Sequence, residues 1–331
     1  MGKTIKSVVT GGYGFIGSHL VDYLLSKDHE VIVIDNLSTG NIKNLSHLDE
    51  KSFTFYNEDI SNISNSLNEL QTCDYIFHIA GLADVVPSID KPLDYYNSNV
   101  NGTLSIVNIA RSNPNLKKLI YAASSSCYGI PKEVPTSENC PIDLRYPYAH
   151  SKFMGEEIVM HFSKVYNIPS ISTRFFNVYG LRARTTGTYG AVFGTFLAQK
   201  LSNQPFTIVG DGNQGRDFIY VSDLIKGLYN VASSDVKNEI FNLGSGTPHT
   251  INELVDLIGG DKIYIPKRPG EPDITHANID KIKNKLGWKP EVSFNEGVEI
   301  MKKNIENWRD APVWTPEKIK KATENWFKHL S

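Results

Sequence analysis

The sequence predicts an α/β protein in which a doubly wound parallel sheet is joined to a smaller, discontinuous α/β domain. Three observations support this fold class. Strand-like runs alternate with helical patterns through the first half of the 331 residues, a strand–glycine turn–helix unit opens the chain, and the alternation stops after Asn177. Such alternation is typical of a parallel sheet with helices on both faces. We therefore expect ligands beyond the carboxyl ends of the strands.

The predicted elements follow in chain order. After the opening unit, strands are expected at Val31–Ile34, Phe53–Tyr56, Tyr75–Ile79, Lys118–Ala122 and Ser170–Arg174. Helical patterns lie between them at Ile63–Leu70, Leu93–Arg111 and Tyr148–Tyr166. A strand–helix unit at Asp217–Asn230 is expected to return to the main sheet. The predicted division is one domain of residues 1–177 plus about 216–245, and a second of about 178–215 plus 246–331.

The opening unit, Ser7–Ser18, reads SVVTGGYGFIGS. Gly11 can turn the chain at positive φ. Gly14 lets the backbone approach a pyrophosphate, and Gly17 lets the following helix pack close to the strand. The free N–H groups at the start of that helix then face the phosphates. A glycine turn also serves plain packing, so a Rossmann-type dinucleotide site needs a second signal.

Asp35 supplies that second signal at the end of the next strand, His29–Ile34. An acidic residue is expected about 20 positions on, where its carboxylate binds both ribose hydroxyls of adenosine. Its charge repels a 2′-phosphate, and Asn36–Gly40 contain no arginine, so the sequence favours NAD over NADP. After the third strand, Asp59 and Ile60 either touch the adenine or begin an ordinary polar loop.

Composition and charge exclude several other classes of protein. The formal net charge is −2, so nothing global indicates a nucleic acid or an anionic membrane as partner. Cys73, Cys127 and Cys140 form no metal-spaced cluster, so we predict no metal site, and they suit a reducing cytoplasm. The first residues lack the apolar core of a signal peptide, and no stretch approaches a membrane span. We therefore expect a cytoplasmic protein.

A tyrosine, a lysine and a serine form a candidate catalytic group. Tyr148 and Lys152 lie four residues apart in a helical pattern, so their side chains share one face. A lysine ammonium near a phenol lowers the pKa of the phenol. Ser124 ends a strand, where its hydroxyl points into the ligand crevice. A Tyr-x-x-x-Lys pair alone is commonly a solvated helix face, but together with the glycine turn, Asp35 and Ser124 it indicates proton transfer at a sugar hydroxyl.

A series of motifs extends along the chain: TGGYGFIGSH at Thr10–His19, DNLSTG at Asp35–Gly40, AGL at Ala80–Leu82, KPLDYY at Lys91–Tyr96, NVNGTL at Asn99–Leu104, SSSCYG at Ser124–Gly129, YAHSK at Tyr148–Lys152, RFFNVYG at Arg174–Gly180 and GRDFIY at Gly215–Tyr220. With these motifs the chain resembles the extended short-chain dehydrogenase/reductase family of NAD-dependent epimerases and dehydratases, and within it the UDP-hexose 4-epimerases. The resemblance extends to about Trp288–Pro290.

The resemblance implies an NAD cofactor and a catalytic trio. The trio is Ser124, Tyr148 and Lys152. The lysine also binds the nicotinamide ribose. The residues expected at the cofactor are Gly11, Gly14, Phe15, Ile16, Gly17, Asp35, Asn36, Ser38, Thr39, Gly40, Asp59, Ile60, Ala80, Asn99, Tyr148 and Lys152.

The resemblance also implies how the diphosphate of a nucleotide-sugar binds. Asn177 matches a diphosphate ligand. Arg216 and Arg268 match the cations that clamp it, and paired guanidiniums hold phosphate oxygens well. The alternative for Arg216 is an ion pair with Asp217 or Asp211.

Two further segments are expected on the substrate side. Tyr189–Phe193, which includes Val192, matches the stretch along the base and ribose, or else forms an aromatic core cluster. Thr275 matches the position that limits bulk at C2 of the sugar, and a threonine there leaves room for an N-acetyl group. The alternative is that Thr275 is a plain loop residue and that His276 fills the space.

Residues after the catalytic serine distinguish the subfamilies. Dehydratases of the family have an Asp–Glu pair there and decarboxylases a Glu, whereas this chain has Ser125 and Ser126, which we assign to the substrate site. We interpret Cys127 as buried packing. The favoured function is 4-epimerisation of UDP-glucose and UDP-galactose, with their N-acetylamino forms also accepted. The alternatives are a nucleotide-sugar 4-dehydrogenase or ketoreductase, another epimerase such as UDP-glucuronate 4-epimerase, and a non-catalytic NAD-binding regulator.

Assembly and the C-terminal tail complete the expectations. In the family, helices equivalent to Leu93–Arg111 and Tyr148–Tyr166 pair across a two-fold axis, which implies a homodimer. No family motif matches the tail after Trp308, where Ala311–Pro316 leads into an amphipathic helix ending at Leu330. That helix covers either the substrate domain or an oligomer surface.

Overall fold

The structure is a computed structural model that describes residues 4–63, 68–184 and 190–331. Within these residues the largest sheet has seven strands, and every neighbouring pair is parallel. Across the sheet the strands are β10 (Glu239–Leu243), β6 (Ser170–Phe175), β5 (Lys118–Ser124), β4 (Tyr75–His78), β1 (Lys6–Thr10), β2 (Glu30–Ile34) and β3 (Thr54–Tyr56). The order reverses between β1 and β4, which opens a crevice at their carboxyl ends. The predicted doubly wound α/β fold is confirmed.

Helices cover both faces of this sheet. Successive side chains of a strand point to opposite faces, so Val8 packs in one hydrophobic core and Val9 in another. The core of Val8 includes the helices α5 (Gly102–Ala110) and α6 (Pro147–Tyr166). The core of Val9 includes α1 (Phe15–Leu25) and α8 (Val221–Ser233). Because helices cover both faces, β1, β4 and β5 are buried along almost their whole length.

The predicted helices are present with changed boundaries. The helix expected at Tyr148–Tyr166 is α6, which begins at Pro147, where proline is favoured, and ends before Asn167 in the left-handed conformation (φ 55°). The pattern at Leu93–Arg111 forms α4 (Pro92–Tyr96), a π-helical turn (Asn97–Asn101) and then α5. Of the helix expected at Ile63–Leu70 the structure describes α2 (Asn68–Thr72), and residues 64–67 lie outside the described residues.

Two smaller sheets lie outside the main one. In the first, β9 (Gly215–Tyr220) pairs in parallel with β7 (Asn177–Tyr179) and antiparallel with β11 (Pro248–Thr250). In the second, β12 (Lys262–Ile265) pairs in parallel with β8 (Phe206–Val209).

The expectation that the Asp217–Asn230 unit returns to the main sheet is wrong for its strand. The helix α8 packs on the main sheet, but β9 joins β7, and β10 is the strand that extends the main sheet. The physical reason is aromatic packing. Phe218 stacks on Phe294 and meets Tyr179 and Phe193 edge-on, and these contacts lie away from the main sheet. The apolar pattern of one segment of sequence does not specify which strand it will pair with.

The remaining helices are short and belong mainly to the later part of the chain: α3 (Pro87–Asp90), α7 (Val192–Leu201), α9 (Ile251–Ile258), α10 (Asp280–Leu286), α11 (Phe294–Lys303), α12 (Pro316–Ala322) and α13 (Glu324–Leu330). Capping boxes begin α9, at Thr250 and Glu253, and α11, at Ser293 and Glu296. None of the helices among the described residues has the length and apolar character needed to cross a membrane.

Candidate active site

The glycine turn between β1 and α1 requires glycine at two positions. Gly11 has φ +72°, and a Cβ there would lie 2.8 Å from the Cα of Ala80. A Cβ on Gly17 would overlap the carbonyl oxygen of Gly11. Gly14 begins α1 with an extended backbone, and among the described residues no side chain caps this N-terminus. Its amide groups therefore face the crevice without an internal partner, an arrangement that suits a pyrophosphate.

Phe15 and Ile16, the first residues of α1, are half-buried and pack against the core below the turn. Their side chains support the turn, and their backbone amides belong to the first turn of the helix. This matches the general use of a helix N-terminus, where the amide groups bind the anion.

Asp35 lies directly after β2 and is buried beside the glycine turn. Its carboxylate accepts hydrogen bonds from the backbone amides of Tyr13 (2.9 Å) and Leu37 (2.8 Å), and the loop at Gly40 packs against it. Burial raises the pKa of Asp35, and the two amide hydrogen bonds oppose that rise. The carboxylate is thus fixed in direction at the edge of the crevice, as the adenosine ribose of a dinucleotide requires.

The loop after β2 is tied to the loop after β3. The Asn36 side chain donates to Asp59 (3.0 Å) and accepts from the amide of Ser38, while exposed Thr39 follows. Burial acts to raise the pKa of Asp59, but hydrogen bonds from Ser61 and Asn36 outweigh it and hold the pKa below its usual value. Asp59 therefore holds the loops after β2 and β3 together at the edge of the crevice.

Ile60 and Asn99 are buried, and their side chains serve the protein itself. The Ile60 side chain packs against Gly102 at the start of α5. The Asn99 amide bonds both the N–H and the C=O of Leu82 and also the hydroxyl of Ser151 on α6. Asn99 thereby fixes the loop Ala80–Leu82 at the end of β4, and the π-helical turn presents it to that loop. Ala80 is held further by a hydrogen bond from its amide to Thr10.

The catalytic candidates come together at the end of β5. Ser124 is the last residue of β5, and its Oγ accepts hydrogen bonds from the amide (3.2 Å) and the hydroxyl (2.9 Å) of Ser126. Tyr148 on α6 lies close enough to Ser124 for the serine hydroxyl to act on the Tyr148 pKa. Lys152, one turn further along α6, places its Nζ 4.6 Å from the centre of the Tyr121 ring. The structure thus brings Ser124, Tyr148 and Lys152 into one corner.

The expected lowering of the Tyr148 pKa is wrong for the protein alone. Burial raises the pKa of Tyr148, and the nearby Ser124 hydroxyl only partly opposes that rise. Burial also lowers the pKa of Lys152 to about 7, so at neutral pH the charged ammonium form is little favoured over the neutral amine. Both effects follow from the removal of charged groups from water.

A buried charge network that the sequence motifs did not reveal lies behind Lys152. Glu156, one turn beyond Lys152 on α6, forms an ion pair with Arg174 of β6 (2.6 Å), and its charge acts to raise the pKa of Lys152. Arg174 also donates a hydrogen bond to the Tyr128 hydroxyl (2.8 Å). Tyr128 is the last residue of the short helical turn that begins after Ser124. The sequence feature that could have identified Glu156 is its position four residues after Lys152, the same spacing that relates Lys152 to Tyr148.

Cys127 packs in a small apolar cluster with Phe176 and Ala277, and burial raises the pKa of its thiol to about 12. The interpretation of Cys127 as buried packing is confirmed. Ser125 lies in the same short turn and is half-buried at the crevice.

A pocket of about 470 Å³ carries the two arginines. Its walls come from the loops after β8 and β12, and its lining includes Arg216, Arg268 and Glu271. Glu271 lies 3.0 Å from Arg268 and 3.8 Å from Arg216. Burial lowers the pKa of Arg216, with Glu271 opposing and Arg268 adding to the effect. The site therefore joins two guanidiniums through one carboxylate.

The alternative partners suggested for Arg216 are wrong, because its acidic neighbour is Glu271. Asp217 is fully buried and instead accepts hydrogen bonds from Ser245, Gly246 and Ala277. Asp211 binds Asn213 in the loop after β8. Sequence analysis missed Glu271 because the loop between Arg268 and Thr275 has no periodic pattern.

The other substrate candidates are distributed as follows. The Thr275 hydroxyl donates to Asn177 (2.9 Å) and accepts from the amide of Asp217, so Thr275 and Asn177 are in contact. His276 is bonded to the carbonyl of Gly246 and is thereby turned toward the β10–β11 connection. Val192 begins α7 and is half-buried. Tyr189 lies outside the described residues.

Comparison with known proteins agrees with this architecture. Residues 8–301 match the family described as GDP-mannose 4,6 dehydratase. A putative UDP-glucose 4-epimerase of Methanocaldococcus jannaschii is 38% identical and is aligned over 91% of this chain and 97% of its own length. A UDP-N-acetylglucosamine 4-epimerase from Methanobrevibacter ruminantium, solved with UDP-N-acetylmuramic acid, has a TM-score of 0.86 at 35% identity, covering 91% of this chain and 98% of that one.

A further solved structure contains a cofactor. A UDP-glucuronic acid 4-epimerase from Bacillus cereus, in complex with UDP-glucuronic acid and NAD, has a TM-score of 0.83 at 32% identity, covering 91% of this chain and 99% of that one. The family match and these relatives each cover most of the chain. The chain therefore belongs to the GDP-mannose 4,6 dehydratase family, the NAD-dependent epimerases and dehydratases of the extended short-chain dehydrogenase/reductase type.

Proposed function

We propose that this chain is an NAD-dependent 4-epimerase of a nucleotide-sugar, with UDP-hexoses as its substrate class. The observation that carries the proposal is that Ser124 at the end of β5 lies close to Tyr148 of α6, while Lys152 of the same helix lies near Gly81 at the end of β4. The paired Arg216 and Arg268 add a site for a diphosphate. The similarity to several UDP-sugar 4-epimerases supports the same reaction.

The crevice fits NAD. The uncapped start of α1 suits the pyrophosphate, the fixed Asp35 carboxylate suits the ribose of adenosine, and Lys152 is placed for the nicotinamide ribose. The Asp35 charge disfavours a 2′-phosphate, so NAD is preferred over NADP. When bound, NAD takes a hydride from C4 of the sugar and later returns it.

Tyr148 removes the proton from the 4-hydroxyl and gives it back after the sugar has turned. Because the Ser126 hydroxyl donates to Ser124 Oγ, the Ser124 hydrogen is free to point away from Ser126, toward Tyr148 and the reacting oxygen. Lys152 supplies positive charge at the same corner, and this charge favours the phenolate when the proton is held there.

Arg216 and Arg268 anchor the diphosphate, and Asn177 contributes its side-chain amide. Glu271 pairs with both arginines, so its charge offsets their mutual repulsion before the diphosphate binds. A firm hold on the diphosphate with a loosely held hexose lets the 4-keto sugar turn about its anchor and present its other face. Hydride then returns to that face, and no net oxidation occurs.

Ser125 and Ser126 distinguish this reaction from others in the family. Neither side chain can act as a carboxyl acid or base, so elimination of water and decarboxylation lose their catalytic group. A net 4-dehydrogenase or ketoreductase has the same catalytic trio, but it must exchange its cofactor in each turnover. The intact Tyr148 and Lys152 pair disfavours a non-catalytic regulator.

The test uses purified protein and a panel of UDP-, GDP-, dTDP- and CDP-sugars. We expect NAD to remain bound after desalting, and we expect interconversion of 4-epimers of at least one UDP-hexose without added NAD. Turnover that requires added NAD and yields one equivalent of NADH would instead identify a dehydrogenase. A protein that binds NAD but turns over no member of the panel would contradict the proposed function.

We further propose a homodimer in the cytoplasm, with α5 and α6 paired across a two-fold axis. Exposed apolar residues on these helices, Leu104, Val165 and Tyr166, support the pairing. A charged residue at Leu104 (Leu104→Glu) is expected to shift the protein from dimer to monomer in light scattering. We retain residues 1–177 with 216–245 as the NAD-binding domain and the rest as the nucleotide-sugar-binding domain, although β9 pairs outside the main sheet.

A further inference from the structure

The C-terminal helices α12 and α13 lie beyond residues 8–301, the part that matches the family. They are not a loose tail. Ile319 of α12 and Trp326 of α13 are buried, and they form an apolar cluster with Val86 next to α3. Asn325 also donates a hydrogen bond to Asp90 at the end of α3 (2.7 Å). The tail therefore packs on the loop that follows β4.

Trp326 connects this loop to two parts of the candidate active site. Its indole N–H donates a hydrogen bond of 3.0 Å to the carbonyl of Pro269, the residue that follows Arg268. Its ring lies 5.3 Å from the ring of Tyr146, at 47°. Tyr146 precedes α6, two residues before Tyr148. One buried side chain of the tail thus contacts both the arginine loop and the start of the catalytic helix.

Tyr146 lies between the two ends of the proposed substrate site. Its phenol is close enough to Tyr148 and to Glu271, Arg216 and Arg268 for all four to act on its ionisation. Burial raises the pKa of Tyr146, so its hydroxyl keeps its hydrogen at neutral pH and can donate it. No hydrogen bond within residues 4–63, 68–184 and 190–331 uses this hydroxyl.

A nucleotide-sugar with its diphosphate at the arginines and its hexose at Tyr148 would therefore have this phenol near it. The half of its diphosphate that is nearer to the hexose is the sugar-linked phosphate. A neutral phenol next to two guanidiniums is a suitable donor to a phosphate oxygen.

We propose that Tyr146 binds the sugar-linked phosphate through its hydroxyl, and that Trp326 of the C-terminal extension is the positioning residue for Tyr146 and for the Arg268 loop. This rests on the proposed function, because it assumes a nucleotide-sugar in the same site. It assigns the extension to the substrate site and gives the two helices a role in binding.

The test compares nucleotides that differ by this phosphate. UDP contains the phosphate that Tyr146 is proposed to bind, and UMP does not. By calorimetry with the full chain, Tyr146→Phe is expected to weaken UDP binding roughly tenfold, the loss typical of a hydrogen bond to a charged group, and to leave UMP binding unchanged. With a turned-over UDP-hexose, KM is expected to rise by a similar factor while kcat changes little.

Trp326 is tested with two variants and a control. Trp326→Ala is expected to reduce UDP affinity as Tyr146→Phe does, and Trp326→Phe, which keeps a ring against Tyr146, to recover most of the loss. Lys328→Ala, at an exposed position of α13, is expected to bind UDP like the wild type. NAD binding and thermal unfolding report on the fold. If Trp326→Ala does not fold, Trp326→Leu replaces it with the same expected loss, because leucine fills apolar space but has neither an aromatic ring nor an N–H group.

The outcomes separate the two proposals. Equal losses for UDP and UMP in Tyr146→Phe, or no loss for either, would overturn the role of Tyr146. UDP affinity unchanged in both Trp326 variants would overturn the role of Trp326. A wild-type protein that binds UDP, with the predicted loss in Tyr146→Phe, but epimerises no sugar would contradict the proposed function alone. A wild-type protein that does not bind UDP would contradict both.

Discussion

Tyr148 is the residue on which the proposed chemistry depends, and its surroundings explain how it is kept ready. Burial raises its pKa and Ser124 opposes that rise, so the free protein holds the phenol protonated. The phenolate therefore becomes favourable only when positive charge is near it. Lys152 is one source of that charge, and Glu156 acts to keep Lys152 protonated.

Tyr148→Phe removes the phenolic hydroxyl that is proposed to carry the proton and keeps the aromatic ring. We expect kcat to fall by about 10²–10⁴, the usual contribution of a general base, while NAD binding and thermal stability stay near those of the wild type. The measurement is steady-state epimerisation together with an NAD titration. Turnover within a few-fold of wild type would remove Tyr148 from the mechanism.

Glu156→Gln leaves the buried Arg174 without a compensating charge. We expect the free energy of unfolding to fall by about 3 kcal/mol, because breaking a buried ion pair leaves an uncompensated charge. Loss of the Glu156 charge should also lower the pKa of Lys152 further. Urea unfolding checks the first effect and NMR titration of labelled lysine the second.

Glu157→Gln is the matched control for Glu156→Gln. Glu157 is the next residue on α6 and is exposed, so its substitution should change stability by less than about 0.5 kcal/mol. Equal losses for the two variants would show that the Arg174 ion pair is not the cause.

Thr275→Tyr tests the width of the sugar pocket. Thr275 contacts Asn177, and His276 is turned away toward Gly246, so a small residue occupies this position. We expect the variant to lose turnover of UDP-N-acetylhexoses while it keeps turnover of UDP-glucose and UDP-galactose. An unchanged ratio of the two activities would exclude Thr275 as the size limit.

At the scale of elements, the glycine turn with α1 is the best determined part of the cofactor site. Gly17 lies inside the helix, yet a Cβ there would overlap the Gly11 carbonyl, so the constraint concerns the turn and not helix propensity. Gly17→Ala is expected to weaken NAD binding by at least about tenfold, because the clash must displace the turn. Equilibrium titration with NAD is the measurement.

Gly194→Ala is the control for this clash. Gly194 lies in α7, and a Cβ at this position would lie 3.5 Å from its nearest neighbour, the indole nitrogen of Trp308, which is an ordinary contact. Alanine there should bind NAD like the wild type and stabilise the protein by up to about 1 kcal/mol. If both glycine variants lose NAD binding equally, the turn geometry is not the reason.

Local spacing allowed the sequence to predict this turn, Asp35 and the Tyr148–Lys152 pair, because each depends on residues close together in one or two elements. Glu271 and Trp326 were not predictable in the same way. Their partners, Arg216 for the first and Tyr146 for the second, are brought to them only by tertiary packing. The pairing of β9 with β7 was missed for the same reason, since the stacking of Phe218 on Phe294 joins distant segments.

At the scale of the whole molecule, the main sheet places the crevice proposed for NAD, and the later segments carry Arg216 and Arg268, the proposed diphosphate clamp. The C-terminal helices then connect the loop after β4, the start of α6 and the Arg268 loop through Trp326. In the proposed function, this arrangement would hold the diphosphate of a nucleotide-sugar in place while its terminal hexose turns.

The central claim is that one hydride leaves C4 and returns to the same carbon with NAD bound throughout. The most direct measurement follows a UDP-hexose carrying deuterium at C4, turned over by the desalted protein without added NAD. We predict that the 4-epimer forms with its deuterium still at C4 and that no free NADH accumulates. Loss of the deuterium from C4, or one NADH formed for each sugar converted, would contradict the account.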